Sequence, residues 1–300
     1  MEALTKPMRK PDFIIIGAMK SATSTLHNQL SAQPGVFMST PKEPNFFSDD
    51  AVYKKGLDWY SALFAEAADT DLCGESSTHY TKLPDYPKTV ERLKQYIENP
   101  KFIYVMRHPV DRLVSHYMHQ WSEGVINCDI NQAIDRYPEL IAYSCYGMQI
   151  KPYIEAFGRD AILPVFFDAL KAAPQATLVS IGAFIGVPRA SAFQWNDNEA
   201  PDNVSKQRIR RFYGYDLLIN SAPMTWLRRT LIPKTMRERV KGRLTMAQRP
   251  EISPTQRARI VEIFDRDFLL LRDWLNLELT CENFNQIGVA FDQNQIMGRK

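Results

Sequence analysis

Short apolar runs alternate with amphipathic segments along the first two thirds of the chain. The runs are rich in β-branched and aromatic residues, and they predict strands over residues 13–16, 71–75, 102–106 and 161–167. The segments between them place apolar side chains at helical spacing, and they predict helices over residues 23–33, 56–65, 87–98, 109–122, 148–157 and 174–185. Because continuous apolar strands separated by helices are typical of a parallel sheet covered on both faces, we expect an α/β fold.

The pattern changes past residue 190, where helices and loops replace the alternation. The clearest helix there covers residues 254–275, since Ser253 is a favourable cap, Pro254 suits the first turn, and apolar residues follow at helical spacing. No repeat and no linker divides the chain, so we predict a single domain with a central, mostly parallel sheet flanked by helices, followed by a helical C-terminal part. Its predicted parts are an N-terminal extension, an α/β core, a helical and basic part and a tail, at residues 1–11, 12–190, 191–275 and 276–300.

The composition and the cysteines are those of an ordinary globular protein. Apolar residues make up 45% of the 300 and charged residues 24%, which allows a sizeable core. The four cysteines are scattered, without a CxxC pair or a histidine at metal-binding spacing, so we interpret them as reduced and expect no metal. Since residues 1–13 lack an apolar signal core and no run reaches membrane-spanning length, we expect a soluble cytoplasmic protein.

The net charge of +3 conceals a strongly basic segment. Residues 205–249 contain twelve lysines or arginines against Asp216 and Glu238, so the rest of the chain is acidic. One interpretation is a solvated helical face; the other is a surface for an anion such as a phosphate, an acidic glycan or a lipid headgroup. Within this segment, residues 222–242 combine Trp226 and other apolar residues with cations, as an interfacial amphipathic helix does. We therefore also predict peripheral contact with an anionic membrane, at its inner face.

The first predicted strand runs directly into a loop with the character of a phosphate site. In "IIIGAMKSATSTL", residues 14–26, a glycine ends the strand, and Lys20 and several hydroxyl residues lead into the helix. Backbone N–H groups at the start of that helix would point into the loop, and Lys20 adds a positive charge. Thr23, Ser24 and Thr25 add hydroxyl donors. The motif therefore predicts binding of a phosphate or sulfate ester, with an ordinary strand–turn–helix as the alternative.

A second strand, turn and helix follow at residues 101–120, "KFIYVMRHPVDRLVSHYMHQ". Arg107 ends the strand, Pro109 suits the first turn of the helix, and Ser115 lies about two turns further along it. An arginine can bind a phosphate through two N–H groups while a hydroxyl binds another oxygen. The chain thus offers two anion sites, each at a strand end, and a nucleoside with phosphate-like groups at both ends would use both.

This pair of motifs resembles the two cosubstrate signatures of sulfotransferases that use 3′-phosphoadenosine-5′-phosphosulfate (PAPS). The first motif is similar to their 5′-phosphosulfate loop, and the second is similar to their 3′-phosphate site. Between the two, "PKEPNFFSDD", "KKGLDWYSALF" and "GESSTHY" resemble the heparan sulfate O- and N-sulfotransferase branch and its bacterial relatives. The resemblance covers residues 12–120 well, and residues 140–186 and 250–275 more loosely. It implies a PAPS-dependent enzyme with a P-loop-like α/β domain.

Carried over position by position, the resemblance implies a cosubstrate site with two ends. The 5′-phosphosulfate would be held by the residues of the first loop, Lys20, Ser21, Ala22, Thr23, Ser24 and Thr25. The 3′-phosphate would be held by Arg107 and Ser115. In the heparan branch a basic loop before the last helix also contacts the 3′-phosphate, which implies Arg249 here, with Lys241 and Arg243 as alternatives. The spent product would be adenosine 3′,5′-bisphosphate (PAP), and the reaction needs no metal.

The same resemblance implies the catalytic groups. Glu43, in "PKEPNFF", falls on the catalytic base of the heparan enzymes, and Lys42 beside it would orient the carboxylate or contact sulfate oxygens. Lys20 would stabilise the charge that develops on the leaving 5′-phosphate. His79, in "GESSTHY", is the alternative donor or base.

Three positions depart from the heparan pattern, and all three shape the acceptor side. Asn45 stands where that branch has a histidine, Ser48 where it has an aspartate, and Ser76 where it has a lysine used for an acidic sugar. Together with Lys42, Asn45 and Ser76 are our candidate acceptor-binding residues. We expect the transfer chemistry to be retained, whereas a heparan-type acceptor is not our expectation.

The predicted reaction moves a sulfuryl group from PAPS to a hydroxyl or amine of a carbohydrate or glycolipid, with a hydroxylated small metabolite or lipid as the alternative acceptor. Nucleic acid is not an expected partner. The competing hypotheses are an ATP-dependent P-loop kinase and a nucleotide-binding module without catalysis. The first would need a glycine where Met19 stands and a magnesium-binding aspartate after an apolar strand. The second draws on the three acceptor-side departures, while Lys20 and Glu43 oppose it.

Overall fold

A five-stranded parallel sheet forms the centre of the molecule. The computed structural model describes residues 8–197, 208–209, 245–246 and 248–293. The strands of the central sheet are β1 (Phe13–Gly17), β2 (Val36–Met38), β3 (Leu72–Ser76), β4 (Lys101–Met106) and β5 (Ile162–Phe166). Their order across the sheet is β2-β3-β1-β4-β5, and all neighbours run parallel. The α/β class predicted from the sequence is therefore confirmed.

Helices connect these strands and continue after them. Those in the described residues are α1 (Thr23–Ser31), α2 (Asp50–Tyr53), α3 (Gly56–Ala62), α4 (Thr89–Tyr96), α5 (Pro109–Ser122), α6 (Ile130–Arg136), α7 (Glu139–Ala142), α8 (Tyr146–Phe157), α9 (Phe167–Ala172), α10 (Pro174–Ile185), α11 (Pro254–Leu275) and α12 (Phe284–Ala290). Two further strands of two residues each, β6 (Arg208–Ile209) and β7 (Thr245–Met246), pair antiparallel. The predicted cap of α11 is confirmed, because the Ser253 side chain accepts a hydrogen bond from the N–H of Gln256.

The two faces of the sheet bury two separate sets of apolar side chains. Along β1, Ile14 and Ile16 pack into one cluster. Phe13 and Ile15 pack into the other, because successive side chains of a strand point to opposite faces. Helices α1 and α10 cover the face of Phe13, and α3, α5, α8 and α11 cover the opposite face. Strands β1 and β4 are hydrogen-bonded parallel neighbours in this sheet, so their carboxyl ends lie at the same edge.

The described part of the C-terminal tail packs on the core through a helix that the sequence pattern does not predict. In α12, Phe284 is fully buried, with its ring centroid 5.2 Å from that of Phe166 and 5.6 Å from that of Phe268. The helix has seven residues and buries only Phe284 and Gly288. Two buried positions are too few to establish a helical period, which is why the sequence pattern misses it.

Most of the basic segment 205–249 lies outside the described residues, and so does the amphipathic helix predicted over residues 222–242. None of the helices in residues 8–197 and 248–293 combines the length and the apolar character that crossing a bilayer requires.

Candidate active site

The loop after β1 has a backbone conformation that restricts its residues. Gly17 ends the strand at φ 152°, and a Cβ atom there would lie 2.0 Å from Oγ1 of Thr81, so a glycine is required. Thr81 is fixed in turn, because its hydroxyl donates to the carbonyl oxygen of Ile16 at 2.7 Å. Lys20 and Ala22 lie in the left-handed region, at φ 71° and 65°, which non-glycine residues adopt at an energetic cost. Backbone strain of this kind is concentrated in binding and catalytic loops.

Helix α1 begins where this loop ends. Ala22 caps the helix without a side-chain hydrogen bond, so the cap leaves the N–H groups of the first turn to other acceptors. Thr23, Ser24 and Thr25 form that turn. N–H groups at the positive end of a helix dipole, next to the cation of Lys20, form a site for an anion.

The loop after β4 holds Arg107 against the first loop. The Tyr146 hydroxyl donates to the carbonyl oxygen of Arg107 at 2.6 Å and accepts from its N–H at 3.2 Å, which fixes the main chain at the strand end. The guanidinium lies 5.0 Å from the ring centroid of Phe167, and its Nη1 lies 3.4 Å from the carbonyl oxygen of Lys20. Burial lowers the pKa of Arg107, and the neighbouring charge of Asp111 opposes that shift.

The two loops open into one cavity of about 610 Å³. They are close because β1 and β4 are neighbours, and ligands of open α/β sheets bind at this carboxyl edge. The cavity is lined by Met19, Lys20, Ala22, Thr23, Ser24, Thr25, Glu43, Thr78, His79, Lys82, Arg107, Ser115, His119, Gln120 and Phe167. Most of the residues predicted for the nucleotide therefore share one cavity with both candidate bases.

Ser21, Ser76 and Arg249 are not among the residues that line this cavity. Ser21 is fully buried. Ser76 is also fully buried, and its hydroxyl lies 2.9 Å from Nδ1 of His27 in α1, which separates it from the cavity. Arg249 pairs with Asp111 in the first turn of α5, with Nη2 and Oδ1 2.5 Å apart. Its charge also contributes to the lowered pKa of Arg107, so the two guanidinium groups are near each other.

Glu43 is held on both carboxylate oxygens. Lys42 donates to Oε1 at 2.7 Å, and the Thr78 hydroxyl donates to Oε2 at 2.9 Å. Burial acts to raise the pKa of Glu43, but the charge and hydrogen bond of Lys42 and the hydrogen bond of Thr78 outweigh it, and the pKa lies below its ordinary value. Glu43 is therefore ionised at neutral pH. Lys42 and Asn45 do not line the cavity; the main-chain N–H of Asn45 donates to Oγ of Ser77 at 3.0 Å.

His79 presents a neutral ring to the cavity. The ring stacks on Tyr86, with the centroids 4.6 Å apart. Burial lowers the pKa of His79 to about 4; the charge of Lys82 lowers it further, while that of Glu43 opposes the shift. A neutral imidazole can accept a proton, so His79 satisfies the chemical requirement for the alternative base.

Five further residues that the sequence did not predict as site residues line the cavity: Thr78, Lys82, His119, Gln120 and Phe167. Phe167 follows directly on β5, so the rule that ligands bind at the carboxyl edge of the sheet would have marked it. Lys82 is 9% exposed, and burial lowers its pKa to about 8, with the charge of Glu43 opposing the shift. In the part of the chain that the structure describes, no group of three His, Cys, Asp or Glu side chains could hold a metal ion.

Comparison with known proteins gives a consistent result. The sequence profile described as the sulfotransferase domain matches residues 10–264. The bifunctional heparan sulfate N-deacetylase/N-sulfotransferase 2 of Homo sapiens is 28% identical over 199 residues, which are 60% of this chain and 22% of that protein. The membrane-associated sulfotransferase kil1 of Dictyostelium discoideum is 34% identical over 116 residues, which are 37% of this chain and 24% of that protein. The chain thus spans less than a quarter of the length of these relatives.

A solved structure extends the similarity to the fold of nearly the whole chain. The sulfotransferase from Alicyclobacillus acidocaldarius superposes with a TM-score of 0.62 and covers 90% of this chain and 98% of its own. The sequence identity is 22%, so this likeness concerns the fold alone.

Proposed function

Because this chain belongs to the sulfotransferase family, whose cosubstrate is PAPS, we propose that it transfers a sulfuryl group from PAPS to a hydroxyl or amine of an acceptor. The observation that carries this proposal is the shared cavity of Lys20 and Arg107, in which the loops after β1 and β4 meet. An adenosine with a phosphosulfate at one end and a phosphate at the other would bind both loops at once.

At the 5′ end, the loop after β1 would act on the leaving group. Sulfuryl transfer resembles phosphoryl transfer, in which the protein contributes mainly positioning and charge stabilisation. As the S–O bond breaks, negative charge develops on the 5′-phosphate of PAP. Lys20 and the first N–H groups of α1 are positioned to stabilise that charge, so they would act more on the transition state than on binding. Of the loop residues we assign to this end, Ser21 is fully buried and its N–H donates to the carbonyl oxygen of Ala18 at 3.2 Å, so it would stabilise the loop rather than contact the phosphosulfate.

At the 3′ end, Arg107 and Ser115 line the cavity and would hold the phosphate. A guanidinium can bind a phosphate through two parallel N–H groups, and a hydroxyl can bind a third oxygen. Arg249 is anchored to Asp111 near Arg107, so we assign it a supporting role through its charge.

We assign the general base to Glu43, with His79 as the alternative. Glu43 is ionised at neutral pH and lines the same cavity as Lys20, so an unprotonated carboxylate faces the space in which the acceptor would bind. The proton would pass from the acceptor hydroxyl or amine to the Glu43 carboxylate as the new bond to sulfur forms. Lys42 and Thr78 would orient that carboxylate through their hydrogen bonds.

For the acceptor we propose a carbohydrate or glycolipid, with a hydroxylated small metabolite or lipid as the alternative. The support is the name of the human relative, a heparan sulfate N-sulfotransferase, together with the cation of Lys82 in the cavity, which neither phosphate site uses. The cytoplasmic location and the membrane contact of residues 205–249 stay predictions, and so does the acceptor-side role of Asn45 and Ser76.

Two measurements test the proposed function. In a thermal-shift assay PAP should raise the melting temperature by mass action, and ATP–Mg²⁺ at the same concentration should raise it less. The reverse order would favour a P-loop kinase. Incubation with PAPS labelled in its sulfuryl group, across a panel of saccharides, glycolipids and small hydroxylated compounds, should label an acceptor. A protein that binds PAP yet labels none of them would be a binding module.

A further inference from the structure

A second carboxyl group, that of Glu75, is buried near Glu43, close to the carboxyl end of β3. Glu75 of β3 is fully buried and accepts three hydrogen bonds from hydroxyl groups. Tyr60 and Tyr80 donate to Oε1 at 2.6 and 2.8 Å, and Ser77 donates to Oε2 at 2.8 Å. Burial raises the pKa of Glu75 to about 7, while the hydrogen bonds of the three hydroxyls oppose the shift, so the group is mostly ionised at pH 8. In that form it only accepts hydrogen bonds, so it fixes the direction of all three O–H bonds.

Two of these hydroxyls also hold the segment that follows Glu43. Ser77 Oγ accepts from the N–H of Asn45 at 3.0 Å, and Tyr80 Oη accepts from the N–H of Phe47 at 3.3 Å. Because their hydrogens are committed to the carboxylate, their lone pairs face the two N–H groups. Within the described residues the Tyr60 hydroxyl makes no such bond to the segment, and it donates to the Glu75 carboxylate alone.

The segment 43–47 needs external support because its backbone is strained. Glu43 and Asn45 lie at φ 59° and 54°, in the left-handed region that non-glycine residues occupy at a cost of roughly 1–3 kcal/mol each. One further bond ties the segment to β3, from the N–H of Glu43 to the carbonyl oxygen of Ser76 at 2.9 Å. Without these anchors the chain would relax toward ordinary backbone angles, and the carboxylate of Glu43 would move.

We propose that Glu75 is a positioning residue for the transfer reaction: it orients the Ser77 and Tyr80 hydroxyls, which hold segment 43–47 so that Glu43 faces the cavity. The inference rests on the proposed function in one respect, the role of Glu43 as the base. Glu75 itself does not touch the substrate, since it is fully buried and does not line the cavity.

Three variants disturb the proposed connection, and one matched variant leaves it intact. Tyr80→Phe and Ser77→Ala each remove a hydroxyl that holds the segment. Glu75→Gln replaces an acceptor by an amide that donates, so at least one buried hydroxyl hydrogen loses its acceptor and the hydroxyl must turn. Tyr60→Phe removes the same chemical group as Tyr80→Phe, from another buried ring on the same carboxylate oxygen.

The experiment measures amide hydrogen exchange at Asn45 and Phe47 at pH 8, the Kd for PAP, and turnover of labelled PAPS. In Tyr80→Phe, Ser77→Ala and Glu75→Gln we expect exchange of at least one of these amides to be about fivefold faster or more, the scale of one lost hydrogen bond. We expect kcat to fall by a similar factor while the Kd for PAP stays within about twofold, because the nucleotide loops are elsewhere in the cavity. Tyr60→Phe should change all three measurements less than Tyr80→Phe does, because its hydroxyl does not hold the segment.

The proposal is overturned if Glu75→Gln keeps both the wild-type exchange rates and kcat. It is also overturned if Tyr60→Phe loses as much turnover as Tyr80→Phe, since that would indicate a general loss of packing. A wild-type protein that transfers no sulfate would instead refute the proposed function, and the exchange rates, which need no substrate, would still decide whether Glu75 holds the segment.

Discussion

Nη1 of Arg107 lies 3.4 Å from the main-chain carbonyl oxygen of Lys20, across 87 residues of sequence. This contact joins the end of β4 to the end of β1, so the two loops that we propose bind anions form one continuous surface. Each loop alone would bind a single phosphate group. Their juxtaposition supports a ligand with two such groups, and it separates the expected effects of substitutions in the two loops.

Replacing Lys20 by alanine should lower kcat by about 10²-fold or more, the effect of losing one positioned charge that acts on the leaving group. The Kd for PAP should change much less, because the first N–H groups of α1 and Arg107 remain. Steady-state kinetics with labelled PAPS and calorimetry with PAP would measure the two effects separately. Lys20→Arg, which keeps the charge in a different shape, is the matched control and should retain part of kcat. An unchanged kcat in Lys20→Ala would exclude this role.

Replacing Arg107 by alanine should have the opposite effect: it should weaken binding of PAP and leave kcat nearly unchanged. Charged hydrogen bonds contribute roughly 1.5–3 kcal/mol, so we expect the Kd for PAP to rise by about tenfold to a hundredfold, with kcat at saturating PAPS nearly unchanged. Arg107→Lys keeps the charge but loses the planar pair of N–H donors, and it should recover only part of the affinity. Binding of 5′-AMP, which lacks the 3′-phosphate, provides the contrast: its Kd should be the same in the wild type and in Arg107→Ala. An equal loss for both nucleotides would place Arg107 elsewhere.

Substitution of the two candidate bases should distinguish them where pH dependence cannot. The pKa of Glu43 is lowered and that of His79 is lowered to about 4, so both groups are unprotonated at neutral pH and both would lose activity only in acid. Glu43→Gln should lower kcat by about 10²-fold, and His79→Gln should leave it within a few-fold. Thr78→Val, which removes one hydrogen bond to the Glu43 carboxylate, should have an intermediate effect. Normal turnover in Glu43→Gln together with loss in His79→Gln would move the base to His79.

The parts of the fold that follow from local pattern could be predicted from the sequence. The strands predicted over residues 13–16, 71–75, 102–106 and 161–167 agree with β1, β3, β4 and β5 to within one residue at each end. The apolar runs are decisive because these strands are buried on both faces. Strand β2 has only three residues, Val36–Met38, and such a short run carries no distinct period.

The same distinction between local pattern and tertiary context applies to the residues of the candidate site. Lys20 and Arg107 each follow an apolar strand directly, so a local motif marks them. Thr78 and Lys82 reach the cavity through the short turn after β3, which is too short to carry a distinct sequence period. Ser76 shows the opposite case, a predicted site residue that does not line the cavity. It follows Glu75 in β3, so its side chain points to the other face of the sheet, where its hydroxyl contacts His27.

The last prediction concerns Lys82, whose buried charge should destabilise the folded protein while contributing to acceptor binding. Its folded-state pKa of about 8 lies below the ordinary value of 10.5, mainly because the side chain is buried. The folded state therefore binds fewer protons than the unfolded state between these values. Below pH 8 the charge costs the folded protein about 3 kcal/mol, and this cost diminishes as the pH rises toward 10.5. Stability of the wild type should thus rise with pH relative to a variant that lacks this amine.

Urea unfolding of the wild type and Lys82→Met at pH 7 and pH 9.5 would measure this effect. Lys82→Met should gain in free energy of unfolding relative to the wild type at pH 7, and that gain should shrink by about 2 kcal/mol at pH 9.5. Lys54→Met, at an exposed lysine, supplies the control for the same substitution outside the cavity. If Lys82 contacts the acceptor, Lys82→Met should also raise KM for the acceptor while the Kd for PAP is unchanged. If Lys82→Met is more stable but has an unchanged KM for the acceptor, then the charge of Lys82 neither stabilises the fold nor binds the acceptor. Our proposal that Lys82 contacts the acceptor would then be wrong.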